Sequence, residues 1–534
     1  MISVPVLIVG GGPVGLTLAT DLGWRGIPCL LVERRDGSIT LPKMNMVSAR
    51  TMEFCRRWGI AQEVRRLSIP EDFPRNILFV TSANGYELAR FEYPSRADAR
   101  PVHSPEYLQR CSQIYFDPLL QRTVNGFNGV RLRYHTELVG FDQDDGGVTA
   151  QLRSLETGES ITVRADYLVG CDGAESFVRE SLGARLEGNH SLGEEINIFY
   201  LSDELSAMCP RTKAIMQMVY GSEGYLGSIV SVDGIRQWRV SVRAKAVGSS
   251  LALARAESIV RRLVGRDFAF EVKSVMPWTR RRLMADSYGR GRVLLAGDAV
   301  HQLSPTGGFG MNTGIGDAID LSWKLAAVIG GWGGARLLDS YETERRPIGD
   351  SVTEEGARNY RVLAQLPIGA EIDEASERGA ALREKVSGFI RENEYDREFD
   401  TDGVTFGYRY EGSPLIVPDG TPEPPHEVMT YRPTARPGHR APHVWLEDGR
   451  STLDLFGQDF TLLCLGAGTE EAAPLRQAAA ACGMPLQIVS LENESVRTAY
   501  QSRFALVRPD GHVAWRADSM AENAGALLDR VRGS

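Results

Sequence analysis

Val6-Leu7-Ile8-Val9-Gly10-Gly11-Gly12-Pro13-Val14-Gly15 decides the fold: an apolar run stops on a G-x-G-x-x-G turn and hands over to a helical pattern. In that setting the glycines have separate physical roles. Gly10 and Gly12 let the backbone turn tightly and approach a pyrophosphate, Pro13 and Val14 open the following helix, and Gly15 lets that helix pack on its strand. Glu33 closes the next apolar run about twenty residues on, where a carboxylate accepts from a ribose hydroxyl, and Arg34 beside it is a further contact. The chain thus opens as an α/β dinucleotide-binding fold. The turn alone serves FAD or NAD.

Far downstream, Gly297-Asp298-Ala299-Val300-His301 runs into Pro305-Thr306-Gly307-Gly308-Phe309-Gly310-Met311-Asn312. Asp298 at a strand end can hydrogen-bond a polyhydroxyl chain, and the proline and glycine loop brings backbone N–H groups close to a flat ring. That combination favours flavin over nicotinamide. Between the two segments, Asp166-Tyr167-Leu168-Val169-Gly170-Cys171-Asp172-Gly173 is an apolar strand entering an acidic glycine turn, followed by a helix with Ser176 near its start.

These three segments, in this order, resemble the group A flavoprotein monooxygenases of the para-hydroxybenzoate hydroxylase and phenol hydroxylase type. The resemblance is strong over about residues 1 to 365 and weaker beyond. It implies that Asp172 and Gly173 hold the FAD pyrophosphate region and support NADPH or NADH as electron donor. It also implies that Gly297 and Asp298 bind FAD and that Pro305 lies against the isoalloxazine. The backbone of Gly308, Gly310, Met311 and Asn312 would face the flavin pyrimidine, where charge developing on reduction needs donors. Arg50, in Ser48-Ala49-Arg50-Thr51, matches an arginine beside the cofactor, and Gln113, in Cys111-Ser112-Gln113, an FAD-contacting glutamine. Ser304 stands where many relatives carry a second proline, and Phe309 where they carry glutamine or leucine. Both departures bear on the reaction pocket.

The implied activity is hydroxylation of a small phenolic or other aromatic substrate by dioxygen through a flavin C4a-hydroperoxide. Alternatives with the same cofactor are a polyketide-type hydroxylase or a Baeyer-Villiger oxygenase, and, outside catalysis, a flavin-binding redox sensor. Activation of a phenol needs a base or a cation near its hydroxyl. Tyr220, Tyr225, His190 and Arg239 are candidates by residue type and region, and the sequence assigns none of them a catalytic role.

Composition fits a large soluble enzyme: 534 residues, 43% hydrophobic and 24% charged. A net charge of -9 gives no footprint for nucleic acid, and no basic cluster recommends a membrane surface. The N-terminus enters a strand directly, without a signal or transit pattern, and a cytoplasmic location is expected. Seven scattered cysteines without C-x-x-C read as buried free thiols, and eight histidines without ligand spacing argue against a metal.

Strand and helix patterns alternate to about residue 180, the first part of the FAD-binding domain (1–180). Period-two runs at Ile196–Tyr200, Ile215–Tyr220, Tyr225–Val230 and Gln237–Val242 then suggest an inserted, mostly antiparallel substrate sheet (181–280). Residues 281–400 complete the FAD-binding domain with helices over 317–329 and 337–359, the latter with Glu342, Glu344, Arg345 and Arg346 as a solvated face. Proline and glycine enrichment makes 401–440 an extended linker. Residues 441–534 resemble the thioredoxin-like tail of phenol and polyketide hydroxylases. Lacking a redox pair, this unit is expected to be structural, and it could sit at the contact of a homodimer.

Overall fold

The computed structural model describes all residues except 40–43, 99, 210–212 and 245–252. Strand β1 (Ile2–Val9) leads through the glycine turn into helix α1 (Pro13–Trp24) and strand β2 (Cys29–Val32). β1 lies between β2 and the strand Ser160–Gly170, parallel to both, and the parallel run extends to Val130–Arg133 on one side and Val293–Leu295 on the other. Val6, Leu7, Ile8, Leu30 and Leu31 are fully buried because helices cover both faces of such a sheet. The parallel order explains why the Asp172 and Asp298 turns lie next to the glycine turn. All three leave the carboxyl edge of neighbouring strands, where α/β sheets bind ligands.

A second eight-stranded sheet stands over this edge. Its strands Leu186–Leu201, Met216–Gly221, Gly224–Ser231 and Gln237–Arg243 pair antiparallel where alternation predicts them. The long strand Glu271–Ala285 pairs with Leu186–Leu201. Ile77–Val80 and Glu87–Phe91 also join this sheet, although chain order places them within the first 180 residues. Their short apolar runs have no period that distinguishes one sheet from the other. Alternation splits Gln237–Arg243: Trp238, Val240 and Val242 enter a core on the outer face, while Arg239 and Ser241 face inward.

The first helix after the Gly-Asp turn, Phe309–Ile329, begins earlier than periodicity suggests, and the second, Ser340–Leu363, is shifted toward the C-terminus. The expected solvated face of the second is half wrong. Glu342 and Arg346 are outside, but Glu344 and Arg345 are buried, since acidic and basic partners from other elements meet them there. Residues 403–440 are largely without regular structure, as their composition predicts, yet they are packed: Phe406, Tyr410, Leu415, Ile416 and Tyr431 are buried.

The third sheet has the order Leu486–Leu491, Phe460–Leu465, Phe504–Val507, Val513–Ala517, a parallel pair extended by an antiparallel hairpin. It is fastened to the FAD-binding part by buried charges. Arg508 donates to Glu344 at 2.6 Å and to Asp320 at 3.1 Å, and Arg440 is paired with Glu53. Among the described residues, no helix is long and apolar enough to cross a membrane.

Candidate functional site

Between the glycine edge of the first sheet and the inner face of the second lies a two-lobed cavity, with lobes of about 1000 Å³ and about 790 Å³. Gly12, Gly173, Asp298 and Pro305 border both lobes from below, and Met216, Arg239 and Trp278 border both from the sheet.

The glycine turn has the geometry its sequence requires. Gly10 has φ +110°, and a Cβ there would lie 2.3 Å from the Cys171 carbonyl oxygen, so the turn and the Asp172 loop touch backbone to backbone. A Cβ on Gly15 would lie 2.0 Å from the Gly10 oxygen, which makes it the packing glycine. Gly12 is different: it caps α1, and a Cβ there would meet nothing within 4 Å. The turn is therefore folded without help from Gly12's bareness, and the space in front of it opens into the cavity. Glu33 accepts from the Gly11 N–H at 2.7 Å and from the Arg35 N–H at 2.9 Å, which fixes its carboxylate beside the turn. A carboxylate offers about four lone-pair sites, so acceptor capacity remains for a ligand hydroxyl.

Asp172 borders the smaller lobe, but its carboxylate accepts from Ser176 Oγ and from the Val178 N–H at 3.1 Å, capping the short helix Phe177–Ser181. Burial raises its pKa from the ordinary carboxylate value. Its side chain shapes the turn that presents Gly173 at φ +82°. Asp298 sits in the tight turn Gly297–Ala299 and is exposed to the cavity, as is Pro305. Ser304, beneath Pro305, is buried and accepts from Arg280 at 2.6 Å, a fixing contact that proline could not make. Gly308 takes φ +66° to start the helix Phe309–Ile329, so the first-turn backbone of Gly310 and Met311 faces the larger lobe.

Of the residues singled out in the sequence, Gly10, Gly12, Pro13, Val14, Glu33, Arg34, Gln113, Asp172, Gly173, Asp298, Pro305, Gly308, Gly310 and Met311 border the cavity. Gly15, Arg50, Gly297 and Asn312 do not. Gly297 packs on Val14 of α1. Asn312 is a brace: it accepts from the Ser48 N–H and Thr51 hydroxyl and donates to the Met46 and Gly308 carbonyls. Arg50 turns away on helix α2 (Ala49–Arg57), donating to Glu53 at 2.6 Å and to the Asp510 carbonyl at 2.6 Å. His301 is buried, 2.8 Å from Asp317, in a structural network with Arg345.

The candidate bases separate equally clearly. His190 is exposed and outside the cavity, and Tyr220 is buried, donating to the Leu363 carbonyl. Tyr225 borders the smaller lobe with its hydroxyl pKa raised by burial. Arg239 borders both lobes, and burial pushes it down to about 10.

Glu398 was not legible in the sequence, although it borders both lobes. Burial pushes its carboxyl up to about 7 against the pull of Arg280, the Gly307 N–H and Arg110. Its ionisation therefore falls in the neutral range, beside the loop that carries Gly307. Its surroundings, Tyr395-Asp396-Arg397-Glu398-Phe399-Asp400, read as a solvated charged stretch, and no signal in them marks burial.

The chain matches two family models, "FAD binding domain" over residues 3–356 and "Aromatic-ring hydroxylase, C-terminal" over residues 434–534. It is 34% identical to the tetracenomycin B2 monooxygenase-dioxygenase of Streptomyces olivaceus, covering 99% of this chain and 98% of that one. Among solved structures it is similar to the rebeccamycin biosynthetic enzyme RebC with reduced flavin, with TM-score 0.93, 39% identity, and coverage of 100% and 99% of the two chains. It is also similar to the flavin-dependent monooxygenase PieE in complex with FAD and substrate, with TM-score 0.92, 31% identity, and coverage of 100% and 99%.

Proposed function

The chain belongs to the FAD-dependent aromatic-ring monooxygenases, and from that premise we propose that it hydroxylates a phenolic substrate in the cavity described above, with NADPH or NADH and dioxygen as co-substrates. One oxygen atom enters the ring and the other leaves as water. The observation that carries this reading is the cavity itself. It joins an open space at Gly12, where a Cβ would meet nothing, to a sheet face of methionine and tryptophan.

The residues fit FAD. The turn at Gly10 to Gly12 and Gly173 would take the pyrophosphate, Glu33 a ribose hydroxyl, and Asp298 the ribityl chain. Pro305 and the first-turn N–H groups of Gly310 and Met311 would meet the flavin ring. When bound, FAD supplies electron transfer from the nicotinamide and activation of dioxygen. The protein contributes a cleft between the two sheets and a surface of Met216 and Trp278 for the substrate rings. Glu398, half ionised near neutrality, takes the hydroxyl proton that must leave for the ring to become electron-rich.

The test is oxidation of NAD(P)H by the holoenzyme with phenol, 1-naphthol and 1-hydroxyanthraquinone under isotopically labelled dioxygen. The expected result is stimulated oxidation and a product carrying one labelled oxygen. Oxidation that no aromatic compound stimulates, or label entering from water, would refute the reading.

A further inference from the structure

Pro305 is held through its neighbours. Its ring leaves it no N–H with which to bond another segment, so the residues on either side carry the anchoring. Ser304 and Thr306 are both buried, with their hydroxyl oxygens 2.6 Å apart. A hydroxyl has a single proton, and that of Thr306 goes to the Gly356 carbonyl at 2.6 Å, on the helix Ser340–Leu363. Thr306 therefore accepts from Ser304, which in turn accepts from Arg280 Nη1 at 2.6 Å. The direction is fixed throughout: Arg280 to Ser304, Ser304 to Thr306, Thr306 to Gly356. Each bond in such a chain polarises the next, and this chain brackets Pro305 on both sides.

Arg280 starts it from the substrate side. It lies two residues after Trp278 on the strand Glu271–Ala285, with its guanidinium carbon 5.0 Å from the centre of the Trp278 ring and 4.2 Å from that of Tyr360. Trp278 borders both lobes and Arg280 the smaller one. The structural arginines of this protein place a short bond on a carboxylate, Arg345 on Asp317 at 2.9 Å and Arg508 on Glu344 at 2.6 Å. Arg280 reverses that order. Its carboxylate partner Glu195 accepts at 3.4 Å, and the short bond goes to a neutral hydroxyl in the loop. The same guanidinium acts on Glu398, where it is the largest opponent of the burial that raises that carboxyl. One side chain thus touches the wall for the substrate rings, the loop that carries Pro305, and the field at Glu398.

We propose that Arg280 is a positioning residue that ties the substrate wall at Trp278 to the Pro305 loop through Ser304, and so decides how much of the NAD(P)H oxidised ends in a hydroxylated ring. This rests on the monooxygenase reading above and adds to it the device that joins substrate seat and flavin seat.

The test compares the FAD-loaded wild type with Ser304→Ala, Arg280→Met and Arg280→Lys, using whichever of phenol, 1-naphthol and 1-hydroxyanthraquinone the wild type hydroxylates. The readouts are product formed per NAD(P)H oxidised, hydrogen peroxide released, and the absorption spectrum of bound FAD before NAD(P)H is added. Ser304→Ala and Arg280→Met should each lower product per NAD(P)H by about threefold or more. Peroxide should make up the difference, since dioxygen then takes both electrons and two protons instead of giving one oxygen atom to the ring and one to water. The KM for the aromatic compound should stay within about twofold, the FAD spectrum should shift in both variants, and Arg280→Lys should recover part of the yield. Arg280→Met should in addition move the rise of turnover with pH upward by about half a pH unit or more, because a carboxyl that loses a nearby cation holds its proton to higher pH. Ser304→Ala should not. The other groups that face Glu398, namely Arg110, Tyr220, Tyr225 and the Gly307 N–H, are intact in both.

If Arg280→Met fails to fold with Glu195 left without its cation, Ser304→Ala alone decides. A wild-type product yield and flavin spectrum in Ser304→Ala would overturn the proposal. So would a loss that follows FAD content or KM alone, or an effect of Ser304→Ala that folded Arg280→Met does not share. Wild-type hydroxylation that neither variant disturbs defeats this inference only, whereas a wild type that hydroxylates none of the three compounds defeats the reading beneath it.

Discussion

Two enclosed regions of this molecule are built from arginine, and they treat it in opposite ways. At the seam between the C-terminal unit and the FAD-binding part, Arg508 meets Glu344, Asp320 and Asp510, and Lys324 meets Asp320 and Glu344, all fully buried. In the cavity, the Nε atoms of Arg75 and Arg110 have no hydrogen-bond partner among the described residues, and the nearby carboxylates, Asp400 and Asp402 for Arg75 and Glu398 for Arg110, act on them without a direct ion pair. Where the chain supplies the counter-charge, the arginine is structural and its removal strands carboxylates in a low dielectric. Where no carboxylate pairs directly with it, burial is less fully offset and lowers the arginine's pKa. The seam also bears on the cavity, because Asp320 belongs to the same helix whose first turn faces the larger lobe.

The sharpest way to break this comparison is Arg508→Met. It leaves Glu344 and Asp320 buried with less positive charge, and it should cost about 3 to 5 kcal/mol, read as a lowered denaturant midpoint of the holoenzyme. A loss under about 1 kcal/mol, the range of exposed pairs, would mean that the seam is not the structural element described here.

Asp298→Ala tests the cavity side with a smaller effect. Asp298 is exposed to the cavity, so its loss should leave the apoprotein's unfolding midpoint unchanged while removing a charged hydrogen bond to FAD of about 1.5 to 3 kcal/mol. That corresponds to roughly a 10- to 150-fold rise in the FAD dissociation constant. An unchanged constant would remove Asp298 from the binding set.

The two regions also differ in how far the sequence reveals them. The glycine turn was legible because backbone geometry at Gly10 and close packing at Gly15 exclude side chains whatever the surroundings. The antiparallel sheet was legible from its period of two. Direction was harder: Arg50 and Asn312 occupy motif positions, but one points to the C-terminal unit and the other ties Ser48 to the loop helix. Spacing fixes where a residue lies, and partners from distant segments fix where its side chain goes. The same limit hid Glu344, Arg345, Glu398 and Arg110. Glu344, Arg345 and Glu398 sit among other charged residues and Arg110 in a mixed polar stretch, and only elements brought together by folding make them buried. The 403–440 segment shows a related failure, since prolines signal a lack of regular structure and not a lack of packing.

A still smaller effect is expected from Glu398→Gln, visible as a change of pH profile. Glu398 has its pKa raised to about 7, so it is protonated below that value and cannot accept the substrate proton. Turnover of the wild type with a phenol should therefore rise with pH through about 7, and the glutamine variant should lose that rise while keeping its FAD. The sign follows from the role of base, because an acid donor would give turnover falling through the same window. A glutamine variant with the wild-type profile would assign the titration to another group.

The smallest effect should come from the sulfurs of the C-terminal unit. Cys464 is buried in the strand Phe460–Leu465, and burial raises its pKa, which keeps it in the unreactive thiol form. Cys482 ends the helix Ala473–Ala481, partly exposed, its thiol directed to the Ala479 carbonyl. No C-x-x-C joins them, and both are free. If the unit serves the enzyme through the Arg508 and Arg440 contacts and not through electron transfer, Cys464→Ala with Cys482→Ala should leave substrate-dependent NAD(P)H oxidation within about twofold of wild type. The buried site should lose some stability, as any cavity-forming change does. Turnover lost with FAD content and thermal midpoint preserved would make the unit a redox participant and end the distinction between a seam that only holds and a cavity that reacts.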